Sequence, residues 1–376
     1  MSIVYCRNSA RQRLILTALF TLWLGSLGLI WIVTAAAAQP VTSLHRLPMA
    51  RVVYFPTTGH HLSNRVGFLD FWRANGQLHT FGMPISEELV IDGRIVQYFE
   101  RARFEYHPEY AGKPQQVQLG LIGREWLERS GLLKPAVAAN NSGAFFPETG
   151  YTLDGEFLEF WERRGGLPIF GFPISAETQE DGTIVQYFER ARFRYHPEAL
   201  SPFLRRQQSI YGFDLDALHE VQIDDLGHQL AHLLGINTRP VARLPGAVDW
   251  SPALWSRRIE VDLSRQYLFA YEDDLLVFTA PVATGRDGFN TPRGEFTIYY
   301  RLPEQTMADC LGGECWYVPN IPWVQYVVGG VALHGTYWHN AHGTGARMSH
   351  GCINLRIDDA QWLYEWADLG VAVTVY

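Results

Sequence analysis

Cys352 stands in "SHGCIN", eighteen positions after His334 in "ALHG". A cysteine attacks carbonyl carbon as its thiolate, so a catalytic one needs a base or a positive dipole beside it. His334 supplies a base at the end of an apolar run that reads as a strand. A lone polar side chain at such a strand end is held rigidly and points into a cleft. Gly335 and Gly351 let backbone come close to a substrate. A cysteine in a glycine-containing turn also offers its own N–H to an oxyanion, with Gly351 N–H as a second donor. Ser349 and His350 are expected to brace that turn by hydrogen bonds. The residue types point to acyl transfer through a thioester, with the imidazole ionising the sulfur.

Other fates of this thiol remain open. Between His334 and Cys352 the chain holds four histidines, the others being His339, His342 and His350. Such a set could bind zinc, although no Cys-x-x-Cys or His-Glu-x-x-His spacing is present. The chain has 4 cysteines. Cys310 and Cys315, in "CLGGEC", are close enough to pair in a loop, and Cys6 belongs to the N-terminal segment. That leaves Cys352 single, and an odd thiol in an exported chain is either reactive or inertly buried.

Strands must position these residues. From Arg258 onward "RRIEVDLSRQYLFAYEDDLLVFTAPVATG" alternates apolar and polar residues, and "GEFTIYYRL" and "YVVGGVALHG" read as further strands. One helix is expected near the end, with Asp358 as cap, Trp362, Leu363 and Trp366 as its buried stripe and Gly370 beyond it. The strand "VAVTVY" closes the chain. The fold class is a mainly β C-terminal domain over 258–376, sandwich- or barrel-like with one helix. It follows an α+β tandem-repeat region.

The repeat is plain. The segment from Phe68 to Glu109 recurs from Phe157 at an offset of 89, with about two thirds of positions identical. Unit one covers 50–134 and unit two covers 143–236, the second carrying an insertion around "RRQQSIYGFDLD". Each unit reads as a helix from Phe68 (Phe157), a Gly/Pro turn, a strand "IVQYFERARFEYH" and a closing helix. Trp72, Trp161, Tyr98 and Tyr187 are either core or a binding face for wall glycan. Residues 237–257, with three prolines and little periodicity, read as a linker.

At the N-terminus Arg7, Arg11 and Arg13 precede the charge-free run Leu14 to Val33, and "TAAAAQP" follows. Residues 1–38 are a signal peptide cut after Ala38, or an uncleaved anchor, and the rest is exported. The three arginines leave with the leader, taking the formal charge from −8 to −11. This acidity disfavours nucleic acid or an anionic lipid surface as partner, and leaves the N-terminal segment as the membrane contact.

"HGTYWHNAHGTGARMSHGCINL" resembles the signature of the L,D-transpeptidase catalytic domain of the YkuD type. "IEVDLSRQYLFAYEDDLLV", "PVATG" and "NTPRGEFTIYYR" also resemble that family's opening strands and Thr-Pro-x-Gly turn. The repeats resemble those that precede hydrolase or transferase domains in exported bacterial proteins. The first resemblance implies a two-step acyl transfer on peptidoglycan. Cys352 would attack the carbonyl of the third stem residue, a terminal D-alanine would leave, and His334 would move the protons. A backbone carbonyl near Gly335 or Thr336 would orient the imidazole. Tyr317, Trp323, Tyr337 and Trp338 are candidates for the stem-peptide groove, and no metal or organic cofactor is implied. Many relatives carry Arg two residues after the cysteine. Here it is Asn354, as in another large branch, so Arg347 or Arg356 would supply a cation. Water as acceptor would make the protein an L,D-carboxypeptidase, and an inactive C-terminal domain would leave a wall-binding protein.

Overall fold

The computed structural model describes residues 39–40, 51–133, 143–196, 220–311 and 313–376. The expected leader and most of the unit-two insertion lie outside the described residues. Among those described, no helix is long and apolar enough to cross a membrane.

Each repeat carries a four-stranded antiparallel ladder. In the first, Leu89–Ile91, Arg94–Tyr98, Arg103–Tyr106 and Val117–Leu119 pair in order, and in the second Thr178–Glu180, Thr183–Tyr187, Arg192–His196 and Glu220–Ile223 do. The stretch "IVQYFERARFEYH" is therefore a hairpin and not one strand. Phe99 N–H donates to Ala102 O at 2.8 Å, reversing the chain at the "FERA" turn. The reason is ring packing. Phe99 and Phe104 meet at 4.1 Å, and Phe68, Phe71 and Phe81 gather round Phe104 within 6 Å. Trp72 and Tyr98 are fully buried and Tyr187 nearly so, while Trp161 is half-buried with its indole N–H on Gly171 O at 2.9 Å. These four rings are core, and burying them is worth more than displaying them.

The closing helices are exchanged. Ile122–Arg129 of the first repeat docks on the second, where Gly123 N–H donates to Glu189 O at 3.0 Å. Leu226–Leu233 of the second docks on the first, where His228 N–H donates to Glu100 O at 2.9 Å. A Cβ at Gly123 would sit 2.0 Å from Phe188 O, and one at Gly227 would sit 2.2 Å from Phe99 O. Only glycine permits this backbone-on-backbone approach. Ile122, Leu226 and Leu230 then pack as one cluster. A short helix is marginal by itself and is held by the tertiary packing of its apolar face.

The segment 237–257 is a packed strap as well as a connection. Val248–Asp249 pairs in parallel with Val53–Tyr54. Val241 N–H donates to Gly59 O at 2.8 Å, Leu244 N–H to His61 Nε2 at 3.0 Å, and Trp250 stacks on Phe55 at 5.4 Å.

The C-terminal region is strand-dominated, as its alternation predicts. One sheet runs Leu275–Pro281, Tyr267–Glu272, Arg257–Asp262, Ala372–Val375, Gly294–Thr297. The other runs Tyr300–Leu311, Glu314–Val328, Val331–Gly335, Ile353–Leu355. Ile259, Val261, Leu268, Leu333, Ile353, Leu355 and Val373 fill the core together with Trp362 and Leu363 of helix Ile357–Trp366. The helix N-cap is Arg356, whose side chain makes no cap, and not Asp358, which lies in the first turn. There its charge still favours the helix dipole. The long hairpin Tyr300–Leu311/Glu314–Val328 is unforeseen, because Pro303, Pro319 and Pro322 interrupt its pattern.

Repeat one is locked to this domain by ions. Arg73 Nε lies 3.2 Å from Glu272 Oε2, Arg73 Nη2 donates to Glu272 O at 3.0 Å, and both side chains are buried. Trp366 Nε1 donates to Glu272 Oε1 at 3.0 Å, so the carboxylate is fully engaged.

Candidate active site

Two parallel strands build the site. Val331–Gly335 pairs with Ile353–Leu355 in the register Leu333↔Ile353, His334↔Asn354, Gly335↔Leu355. Register partners share a face of the sheet, and residues two apart along a strand share it too. Leu333, Ile353 and Leu355 therefore belong to the core, whereas His334, Asn354 and Cys352 rise together on the opposite face. This is the juxtaposition that eighteen residues of sequence separation concealed. Gly335 keeps the strand end close to the helix: a Cβ there would meet Pro322 Cγ at 2.9 Å and Ile357 Cα at 3.3 Å.

The turn before Cys352 is braced from both sides. Ser349 Oγ donates to Cys352 O at 2.5 Å and accepts Gly351 N–H at 3.1 Å. Thr291 Oγ1 donates to Gly351 O at 2.8 Å and accepts Gly285 N–H at 2.9 Å, tying in the "NTPRG" loop. Gly351 holds φ +120, a conformation open to glycine. One expectation is corrected here: Gly351 N–H is taken by Ser349, which leaves Cys352 N–H of the expected oxyanion pair.

His334 is buried, and its Nδ1 lies 3.0 Å from the Gly335 carbonyl oxygen. A carbonyl can only accept, so the proton of the neutral ring sits on Nδ1 and Nε2 is left as the base. Burial drives its pKa down to about 4, the Gly335 hydrogen bond opposing and nearby His339 reinforcing the fall. The Cys352 thiol donates to Gly330 O at 3.7 Å, and its side chain packs against the cluster of Ile321, Val324 and Ala332. Burial pushes this thiol up to about 11 against a hydrogen bond from the Ala332 backbone. Burial thus moves both groups toward their uncharged forms, against the ionisation of the sulfur expected from the ring, because desolvation penalises thiolate and imidazolium alike.

The other candidates divide. Trp338 stands beside the pair, its ring 5.8 Å from that of His334. Tyr337 is buried with its hydroxyl donating to Pro319 O at 2.5 Å, and Trp323 packs on Tyr364 at 5.4 Å, so both serve the core. Tyr317 is 69% exposed on the hairpin. Arg347 is spent on the loop opposite, donating to Gly285 O at 2.6 Å and Asp287 Oδ1 at 3.0 Å. Asn354 is buried with Nδ2 2.9 Å from His339 Nε2, and Thr336 N–H donates to Leu355 O at 2.9 Å. His350 faces the hairpin: it stacks on Trp316 at 4.2 Å and lies 2.8 Å from Arg286 Nη2. Cys310 and Cys315 form a disulfide at the hairpin tip, and Cys352 is the free thiol of the described residues. Among those residues no three His, Cys, Asp or Glu side chains converge as metal ligands would.

Tyr326 and Trp316 also border the site from the long hairpin, and the alternation within "CWYVPNIPWVQYVV" that places them is masked by its prolines.

Residues 256–375 match the family described as YkuD, the L,D-transpeptidase catalytic domain. The C-terminal domain is of the YkuD type. The chain is also 33% identical over 118 residues to a Bacillus licheniformis protein whose name, L,D-transpeptidase YkuD, is itself inferred. That match takes in 31% of this chain and 64% of the relative, so less than two thirds of the relative's length is spanned. Among solved structures, the L,D-transpeptidase from Stackebrandtia nassauensis is 29% identical over 33% of this chain and 57% of its own, with TM-score 0.27. The catalytic domain of the E. faecium enzyme is 24% identical over 33% of this chain and 99% of its own, with TM-score 0.30. The YkuD-type domain thus accounts for about the last third of the chain, and the repeats stand outside it.

Proposed function

We propose that the protein is an exported, cysteine-dependent L,D-transpeptidase that joins peptidoglycan stem peptides. The observation that carries this reading is the shared sheet face of Cys352 and His334, with the imidazole tautomer set by Gly335 O. As Cys352 Sγ bonds to the carbonyl carbon of the third stem residue, its proton passes to His334 Nε2. This transfer accompanies attack, because burial disfavours both the thiolate and the imidazolium. Cys352 N–H faces the resulting oxyanion. Collapse expels the terminal D-alanine amine, which takes the proton from His334, and leaves a thioester. An acceptor amine then attacks, His334 takes its proton, and the thiol is released reprotonated. The apolar cluster on which Cys352 packs, Ile321, Val324 and Ala332, favours an amine acceptor over water by limiting solvent near the thioester.

Incubation of purified protein with disaccharide-tetrapeptide muropeptides, followed by mass spectrometry, tests the reading. Cross-linked dimers with loss of D-alanine are expected. Shortened monomers alone would mean hydrolysis, and unchanged substrate would mean an inactive wall-binding protein. Cys352→Ala is expected to abolish turnover with the fold intact.

A further inference from the structure

A cleft of about 810 Å³ opens where both repeats meet the C-terminal domain, and neither Cys352 nor His334 lines it. Its walls include Gln77 and Arg101 from repeat one, Arg164 from repeat two, Trp250 from the strap and Arg257 from the first strand of the YkuD-type domain. Two buried nitrogens on these residues lack a polar partner, Gln77 Nε2 and Trp250 Nε1, and both are donors. Arg101 Nε and Arg257 Nε make no hydrogen bond but lie 3.4 Å from Asp225 Oδ1 and 3.7 Å from Glu272 Oε1. Buried donors left unpaired are costly, and they gather where a ligand rich in acceptors completes them.

The duplicated repeat offers an internal control. Gln77 holds φ +49, and its counterpart 89 residues on is Gly166 with φ +53. The backbone needs the left-handed conformation at both positions, and the second repeat meets it with glycine. The first keeps a glutamine there, strained, with its side chain buried against the cleft. Arg101 and its counterpart Arg190 both donate through Nη1, to Leu78 O and Leu167 O. Arg190 Nε also reaches Leu119 O at 3.2 Å, whereas Arg101 Nε lies 3.4 Å from Asp225 Oδ1. Charge points the same way. Arg101, Arg163, Arg164 and Arg257 line the cleft against Asp358 and Glu365, in a chain of net charge −8. Among the described residues Arg164 has no carboxylate within 4 Å, and its Nη2 donates to the Asp358 carbonyl at 3.2 Å.

We propose that this cleft is a second peptidoglycan site, holding a carboxylate-bearing stem of a wall fragment apart from the stem acylated at Cys352. The carboxylate meets Arg164 and the Gln77 amide, and the Trp250 indole N–H donates to a carbonyl or hydroxyl of the same fragment. The inference rests on the wall-acting reading above.

The test uses the full chain with Cys352 acylated by imipenem, so that the catalytic face is occupied. Mass measurement of that adduct reports the catalytic reading by itself, and a missing adduct sinks that reading alone. Should it be missing, the same titrations run on Cys352→Ala. Titration calorimetry then follows a disaccharide-tetrapeptide, the same fragment with its carboxylates amidated, and inorganic phosphate. The parent fragment is expected to bind, and amidation to weaken it at least 10-fold. Gln77→Gly and Arg164→Asn each install the residue of the other repeat and are expected to weaken binding 5- to 30-fold. Both should leave the imipenem acylation rate within 2-fold and thermal stability unchanged or, for Gln77→Gly, raised. Absence of binding, equal binding of the amidated fragment, competition by phosphate alone, or undiminished binding by both variants would overturn the proposal.

Discussion

Burial that disfavours both charged forms at Cys352 and His334 has a measurable signature in the alkylation of Cys352 by iodoacetamide across pH. With the thiol pushed up to about 11, the thiolate fraction at pH 7 is about 10⁻⁴. A free cysteine of pKa about 8.5 has about 3% thiolate there, roughly three-hundred-fold more. Intrinsic nucleophilicity rises with pKa along a slope of about 0.5, which returns a factor of about 18. Cys352 should therefore be alkylated about 20-fold more slowly than a peptide thiol at pH 7. The logarithm of its rate should climb with unit slope from pH 5 to 10. His334, held down to about 4, stays neutral over that whole range and adds no inflection. His334→Ala should then leave the alkylation profile within about threefold, yet slow acylation by substrate about 10²–10⁴-fold, because the ring acts during attack and not before it. A plateau in alkylation between pH 5 and 8 would reveal a preformed thiolate–imidazolium pair and refute the reasoning from burial.

Acid should loosen the C-terminal domain before it affects the repeats. Burial lowers His334 and His339 to about 4 and His342 to about 3, so below about 6.5 the unfolded chain binds protons that the folded chain does not. Stability present above pH 6.5 is lost as pH falls, on the order of 2 kcal/mol per histidine by pH 4.5. Thermal melts at pH 7.5 and 4.5 check this, and an unchanged midpoint would contradict it. Arg73→Met removes the buried partner of Glu272 at 3.2 Å and should cost about 3 kcal/mol in urea unfolding. A cost below about 1 kcal/mol would mean that Arg257 and Trp366 suffice to hold the carboxylate.

Much of the site was legible. The thiol left free among the described residues, the histidine at a strand end and the glycines beside them are local features, and so is the Ser349 brace, which spans three residues. The groove was not. Tyr317, Trp323, Tyr337 and Trp338 look alike as aromatic side chains in the same neighbourhood, and only the fold shows that Trp338 meets His334 while Tyr337 goes into the core. Arg347 and Asn354 likewise look available for substrate until their partners at Gly285 and His339 are seen. The repeat helices were legible as elements, but their exchange between units was not, because an amphipathic stripe says that a face is buried and not against what.

By itself the amino-acid order determined which groups can react, the strand-rich class of the C-terminal domain and the duplication of the α+β unit. These follow from side-chain chemistry, from the two-residue period of a half-buried strand and from direct identity between segments. The tertiary structure decided the burial of Cys352 and His334 on one sheet face, the exchange of the closing helices and the cleft shared by three lobes. Each of these depends on desolvation or on contacts between residues up to two hundred positions apart, as in Arg73 with Glu272. Local sequence carries no record of such distances, since packing sets them only once the whole core has closed.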